Sequence, residues 1–269
     1  MIQNALYSLT AFNSAHASEN KIHSDDVAQL YGFKGGLVPG VDVYAYMCRA
    51  MMGQYGPSFL RDGRAEVRFA KPVYDGQTVY VSLRHDKSPQ LDIELFNDQE
   101  LCAVGQARMR DVGPDRPTVP EIPMAELPPV DNRPKLPESQ MEAGKVLGTL
   151  SAPLGKAEHL EYLQQISETD EYYVNEGVVH PGYMLRQANM ILKRNYEIGA
   201  WIHVGSVIDH HDRARVGDVI ETRAQVVLDY ERRGAQFAEL NVNILAGEDR
   251  VPCMAVRHII IYRPRQKKK

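Results

Sequence analysis

The sequence predicts an α+β architecture built twice, each half a long buried helix followed by an antiparallel sheet. Three observations lead there. Half of the 16 prolines crowd into residues 113–137, which splits the chain near its middle. A helical run with a wide apolar face occurs once on each side of that stretch. Each helical run is followed by four strand-like runs in the same order.

In the first half, the segment Gly35-Gly36-Leu37-Val38-Pro39-Gly40 leads into residues 41–54. There Val41, Tyr44, Ala45, Cys48 and Met52 fall at helical spacing, and Met47 and Met51 widen the apolar face. In the second half, Glu176-Gly177-Val178-Val179-His180-Pro181-Gly182 leads into residues 183–196, where Met184, Leu185, Ala188, Ile191 and Leu192 repeat the spacing. Proline is tolerated in a first helical turn because the N–H it lacks would be unpaired there anyway.

The strand-like runs are 64–70, 78–85, 90–97 and 101–110, then 201–211, 219–229, 235–246 and 251–262. They are rich in Val, Ile, Tyr and Thr, and several alternate apolar with polar, as half-buried antiparallel strands do. Between the first two strands of each half lies a turn, Asp75-Gly76 and Val216-Gly217-Asp218. Gly76 and Gly217 are 141 residues apart, and Gly40 and Gly182 are 142 apart. Equal order at near-equal offsets predicts an internal duplication. The prolines Pro114, Pro117, Pro120, Pro123, Pro128, Pro129, Pro134 and Pro137 fix one dihedral each and remove backbone donors, so they predict an extended linker. The expected division is a module over 1–112, a linker over 113–140 and a module over 141–269. Pairing the two modules edge to edge would make one continuous sheet and cover an edge strand in each.

Composition narrows the function. Hydrophobic residues make up 43% and charged residues 25%, enough to bury a core. A formal net charge of -4 offers no basic field for nucleic acid. The run Lys267 to Lys269 reads as a solvated tail. No apolar run approaches the ~20 residues that span a bilayer, and residues 1–10 lack the pattern of a secretory signal. Cys48, Cys102 and Cys253 are odd in number and widely spaced, which fits neither a disulfide framework nor a zinc knuckle. The expectation is a cytoplasmic protein without a membrane or nucleic-acid partner. Glycine-rich dinucleotide and phosphate loops are absent, as is a nucleophile elbow, so no cofactor is expected.

The residues Asn20-Lys21-Ile22-His23, then Ala28, then 32–40 carry a family resemblance. They resemble the MaoC-like, R-specific enoyl-CoA hydratases, whose signature is Gly-Asp-x-Asn-Pro-aliphatic-His followed by a Gly-Phe-x-Gly segment and a buried helix. Asn20, Ile22, His23 and Ala28 match; Ser18 stands where the family has its catalytic Asp, and Lys21 where it has Pro. Segment 32–40 is also similar to that of the hydroxyacyl-carrier-protein dehydratases. The resemblance implies a double hot-dog fold and an acyl thioester of coenzyme A or a carrier protein as ligand. It implies a monomer or a homodimer of double hot-dogs, the first half catalytic and the second shaping the pocket.

His23 is the first candidate acid/base, because an imidazole titrates near neutrality. Asn20 either orients His23, bonds the ligand or serves as a turn residue. The resemblance places Ser18 at the site, where a hydroxyl cannot act as a general base. Glu19, Asp25 and Asp26 are nearby carboxylates; Ser24, Asp25 and Asp26 also read as cap and dipole partners of a short helix. Gly35, Gly36 and Gly40 flank the long helix, where backbone N–H groups could bond a thioester carbonyl or simply form the turn. In the second half the candidates are His180 as an alternative acid/base, with Glu176 and Gln187 as binding residues. Gln187 occupies the position at which the resemblance to carrier-protein dehydratases implies a carboxylate. His203, Asp209, His210, His211 and Asp212 have metal-ligating chemistry, but alternation along a strand sends His210 and His211 to opposite faces, so no metal site is expected.

Three functions fit these residues: a hydratase or dehydratase of acyl thioesters centred on His23, a thioester hydrolase centred on Glu176 or His180, and a non-catalytic acyl-thioester-binding protein.

Overall fold

The computed structural model describes residues 5–84, 89–113, 118–136 and 140–265. The expected strand end at His85, the prolines 114, 117 and 137, and the lysine tail lie outside them.

The first half runs β1 (Tyr7–Thr10), α1 (Asp25–Leu30), α2 (Gly40–Tyr55), α3 (Phe59–Asp62), β2 (Gly63–Phe69), β3 (Thr78–Arg84), β4 (Leu91–Phe96) and β5 (Leu101–Met109). After β6 (Lys135–Leu136), the second half runs β7 (Leu150–Pro153), α4 (Lys156–Gln165), α5 (Tyr172–Asn175), α6 (Pro181–Asn195) and β8 (Glu197–Ile198). It continues through β9 (Ile202–His210), β10 (Val219–Arg232), β11 (Ala235–Ala246) and β12 (Val251–Arg263). The eight strand-like runs and the two long helical runs all form where the periodicity places them, within a few residues at each end.

Ten strands make one antiparallel sheet in the order β1-β3-β4-β5-β2-β9-β12-β11-β10-β7. Read outward from its centre, each half repeats one topology: 2-5-4-3-1 on one side and 9-12-11-10-7 on the other. The centre is the β2–β9 pairing, with Arg64 opposite Asp209 and Arg68 opposite Gly205. Arg64 Nη1 donates to both carboxylate oxygens of Asp209 across this join, at 2.8 and 2.7 Å. The chain therefore has the α+β double hot-dog fold, two helices each wrapped by half of a shared sheet.

Helix α2 is buried on nearly every face, from Val41 through Met52, as its near-continuous apolar sequence requires. Each fully buried Val or Met there contributes about 1.5–3 kcal/mol. Gly56, at φ +65°, ends it by returning its N–H to Met52 O. Helix α6 packs against α2 where Gly182 meets Ala45, a contact too close for any side chain at 182. The proline-rich segment runs along the second half: Pro120 O accepts from Asn243 Nδ2 at 2.7 Å and Ile122 O accepts from Arg223 Nη1 at 3.1 Å. No helix among the described residues is long and apolar enough to cross a membrane.

Six of the eight histidines among the described residues are buried: His23, His159, His180, His203, His210 and His258. Burial lowers the pKa of each, to about 4 for His159 and to about 3 for His203 and His210. Below the ordinary imidazole value near 6.5 the unfolded chain binds protons that the folded chain refuses, so stability is full above that pH and falls as pH drops toward 3. A fully buried imidazole of this kind removes about 1.4 kcal/mol per pH unit through that window. Urea midpoints measured from pH 7.5 down to 5 are expected to fall steadily; a flat profile would show that these imidazoles are not buried. The β2–β9 join gives a second test. A Cβ on Gly205 would lie 2.8 Å from Val67 O, a backbone atom that cannot turn aside. Gly205→Ala is expected to cost about 1–3 kcal/mol, read as a lowered thermal midpoint.

Candidate functional site

A cavity of about 270 Å³ opens where the two halves meet, at the N-terminus of α2. Its walls are mostly apolar, including Val38, Val43, Phe69, Val73 and Ile261. The polar groups reaching it are few: Asn20 and His23 from the first half, Asn189 and His203 from the second, and Lys71.

The loop before α1 sets His23. Asn20 opens a short 3-10 turn, Lys21–His23, its Oδ1 accepting from Ile22 N at 3.3 Å. The same amide reaches the other half, with Oδ1 accepting from Trp201 N at 3.1 Å and Nδ2 donating to Trp201 O at 2.9 Å. These backbone partners settle which amide atom is which. Ile22 is buried and Asn13 Nδ2 donates to His23 O at 2.9 Å. Gly36 lies against that same His23 carbonyl, closer than any Cβ permits. His23 Nδ1 is 2.6 Å from Leu37 O, and a carbonyl only accepts, so Nδ1 carries the proton. Nε2 carries the lone pair and accepts from Asn20 Nδ2 at 3.2 Å. Burial lowers the His23 pKa, against the opposing effects of the Leu37 bond and Asp42. The ring is therefore neutral at neutral pH, with a basic nitrogen at the cavity wall.

Pro39 precedes α2 and has no side-chain cap to offer. Asp42 N and Val43 N bond to Pro39 O, while Gly40 N and Val41 N have no partner among the described residues. Gly40 lines the cavity, so the positive end of the helix dipole opens toward it. Asp42, in the first turn, bonds to Arg186 at 3.0 Å and to Ser14. Gly40 also makes room for a neighbour: a Cβ there would lie 2.9 Å from both His203 Nδ1 and Phe69 Cε2.

Of the catalytic and binding candidates named from the sequence, Asn20, His23 and Gly40 come together at this cavity. The other candidates of that kind lie elsewhere. Ser18 Oγ turns to Asn20 O at 3.2 Å and does not line the cavity. Gly35 and Gly36 line a separate depression with Asp25 and Tyr74, and Gly36 N donates to Asp25 Oδ1 at 2.7 Å. Asp25 thus fixes the glycine loop, and Ser24 is no side-chain cap because its hydroxyl donates to Lys21 O. Glu19 is exposed and pairs with Arg133 at 3.0 Å. Glu176 is exposed, and Gln187 is buried on α6 outside the cavity lining.

His180 sits at the start of α6, the counterpart of the open start of α2, but this end is plugged. Its Nδ1 accepts from Gly182 N at 3.0 Å, capping the helix with its own side chain. The rings of Tyr173 and Tyr162 lie 4.6 and 5.8 Å away. Nε2 faces Glu168 Oε2 at 3.4 Å. Burial works to raise the Glu168 pKa, but His180, backbone N–H groups and Arg49 outweigh it and hold the carboxyl down at about 2. His180 is fully buried, and burial lowers its own pKa.

Asp209 is committed to Arg64, and His210 is buried beside Tyr44, its Nε2 3.2 Å from the hydroxyl. Among the described residues no group of three or more His, Cys, Asp or Glu is placed to hold a metal ion. His203, set aside in the sequence as a poor metal ligand, proves to line the cavity. What brings it there is an irregularity in β9: Ile259 pairs with Gly205 and Ile260 with His203, leaving Val204 as the extra residue of a bulge. The adjacent Gly205 is the one trace of the bulge in the sequence.

No family model matches the chain. No curated protein matches it by sequence. Solved structures do match in fold. A putative MaoC domain dehydratase from Chloroflexus aurantiacus is 14% identical with a TM-score of 0.62, over 97% of this chain and 94% of that one. A Mycobacterium tuberculosis protein described as a double hotdog fold is 15% identical with a TM-score of 0.61, over 95% and 93%. The dehydratase GphF is 14% identical with a TM-score of 0.58, over 95% and 92%. The chain has the double hot-dog fold seen in structures of MaoC-like dehydratases.

Proposed function

We propose that the protein is a hydratase or dehydratase of a short acyl thioester carried on coenzyme A or a carrier protein. Its site lies between a module over 1–112 and a module over 141–269, joined by 113–140. The observation that carries this reading is the cavity itself. It sets a neutral imidazole, that of His23, its unprotonated Nε2 contacted by Asn20 Nδ2 at 3.2 Å, beside the uncapped start of a buried helix. The first is a base for water; the second is a site for a carbonyl oxygen that becomes negative.

In the hydration direction, a water gives a proton to His23 Nε2 as its oxygen bonds to the β-carbon. The C=C electron pair moves through the α-carbon onto the thioester oxygen, where Gly40 N–H and Val41 N–H stabilise the enolate. The proton then passes from His23 to the α-carbon, so the net change is addition of one water. Elimination of water from a 3-hydroxyacyl thioester is the reverse. Asn20 positions His23 and ties its loop to Trp201 of the other half.

A thioester hydrolase is the second reading, because a putative thioesterase II from Thermobifida fusca also shares the fold, at a TM-score of 0.50 and 13% identity. The plugged surroundings of His180 and the exposure of Glu176 leave only His23 to activate water for it.

Crotonyl-CoA offered to the purified protein is expected to lose its conjugated-thioester absorbance without release of free thiol. Free thiol would favour the hydrolase, and silence in both assays would leave a binding protein. His23→Ala is expected to lower kcat by about 10²–10⁴-fold, the usual worth of a positioned base. His180→Ala is expected to keep kcat when assayed below its own, lowered, unfolding midpoint. Because the folded His23 pKa lies below the ordinary imidazole value, its base form persists as pH falls through 6.5. The acid limb of kcat/KM is therefore expected below that pH.

A further inference from the structure

The part of the cavity lining that comes from the second half carries a second imidazole whose protonation is dictated by its surroundings. His203 Nε2 lies 3.1 Å from Gly205 O and 2.8 Å from Ser206 Oγ. The carbonyl only accepts, so Nε2 carries the proton and Nδ1 carries the lone pair. Ser206 Oγ, 3.1 Å from His258 Nδ1, then donates to that nitrogen, and His258 Nε2 donates to Asn189 Oδ1 at 3.0 Å. The four side chains form a chain with one direction, from His203 through Ser206 and His258 to Asn189. Its open end is His203 Nδ1, which is buried and has no partner among the described residues. That atom lies against Gly40 in the cavity lining, where a Cβ would come within 2.9 Å of it.

A buried acceptor left unsatisfied costs about 1–3 kcal/mol, and here three further polar groups are spent holding it in one tautomer. A neutral acceptor at an apolar wall fits a ligand that brings a hydroxyl hydrogen. We propose that His203 is the second acceptor for the reacting water, or for the substrate's 3-hydroxyl in the reverse direction, and that His23 and His203 hold it between them. The inference rests on the hydratase reading of the cavity. One O–H of the water faces His23 Nε2 and is transferred, displacing the long contact with Asn20. The other O–H faces His203 Nδ1 and stays in the product hydroxyl. His203 neither gains nor loses a proton. With both hydrogens held, an oxygen lone pair is left to face the β-carbon. Burial, which lowers the His203 pKa to about 3, keeps the ring from taking the proton itself.

The test uses the full chain with His203→Leu and His203→Asn. Leucine fills the space without an acceptor; the Asn Oδ1 falls near the position of Nδ1. With crotonyl-CoA, H203L is expected to lose about 100-fold in kcat, the effect of a misplaced reactant, with KM little changed. H203N is expected to recover most of that loss. Unfolding midpoints for both variants separate this pattern from a structural defect, which would lower both alike. Nitrogen-15 histidine spectra of the wild-type protein give an arm independent of turnover. They are expected to show one imidazole, absent in H203N, with Nδ1 unprotonated and a resonance that moves when 3-hydroxybutyryl-CoA is added but not when butyryl-CoA is added. A folded H203L with wild-type kcat, or an Nδ1 that is protonated or unmoved by the hydroxyacyl thioester, overturns the assignment. Absence of turnover in the wild-type protein overturns the hydratase reading instead, and the spectra then decide the role of His203 alone.

Discussion

The antiparallel pairing of Gly63–Phe69 with Ile202–His210 governs the rest of the structure. Each half alone would leave an edge strand with a row of unpaired backbone groups, and joining them satisfies both rows at once. The join also sets the two long helices side by side and brings the loop of residues 20–24 within reach of Trp201. A cavity wall from each half then exists only because the sheet is continuous. The Asn20 amide is the local expression of that constraint. Its two bonds to the Trp201 backbone use up the hydrogen-bonding capacity of a loop that would otherwise be free to move, and His23 is positioned as a result.

Duplication supplies two equivalent helix starts, and the sequence treats them differently. At α6, His180 turns its own Nδ1 onto Gly182 N, and tyrosine rings fill the space beyond. At α2, Pro39 has nothing to offer, and Gly40 lets the His203 and Phe69 rings pack close while it lines the cavity. The difference is energetic as well as steric. A capped start is stable without a ligand, whereas an uncapped one next to an apolar cavity holds unpaired donors until something binds. Retaining such donors beside an unpaired His203 Nδ1 costs stability at two points of one cavity.

The fold was largely legible in the sequence because periodicity survives wherever one face of an element is buried. Residues 238–244 alternate apolar with polar, and the run 235–246 that contains them forms a strand with those same ends. What escaped was short or lacked such a pattern: β1 and β7 have four residues each, and α4 leaves most of its surface in solvent. The site was half legible. Asn20 and His23 are local, three residues apart, so a motif can contain both. His203 reaches the cavity by a bulge at Val204 and by the pairing of β2 with β9, which join residues far apart in the chain. Gly35, Gly36 and Asp25 carry the opposite lesson. Their proximity to His23 in sequence is real, but the loop uses it to fix the backbone of His23, and of the three glycines Gly40 lines the cavity.

The cavity has no carboxylate in its described lining, and this bears on how the chemistry is balanced. Ser18, at the position where the family resemblance implies an aspartate, turns away to Asn20 O. Asp42, the carboxylate in the first turn of α2, bonds to Arg186 and Ser14. An ionised carboxylate in so apolar a space would cost several kcal/mol unless paired, and it would repel the negative charge that develops on a thioester oxygen. Two neutral imidazoles avoid both costs. They accept hydrogen bonds from water as a carboxylate does, but they carry no charge until a proton moves. In the proposed reaction the charge separation in the cavity would arise only as the proton moves, with imidazolium on one side and enolate at the helix start on the other. In that reaction the Leu37 carbonyl on His23 Nδ1 would stabilise the imidazolium and the N–H groups at the start of α2 the enolate, with little reorganisation when the charges form.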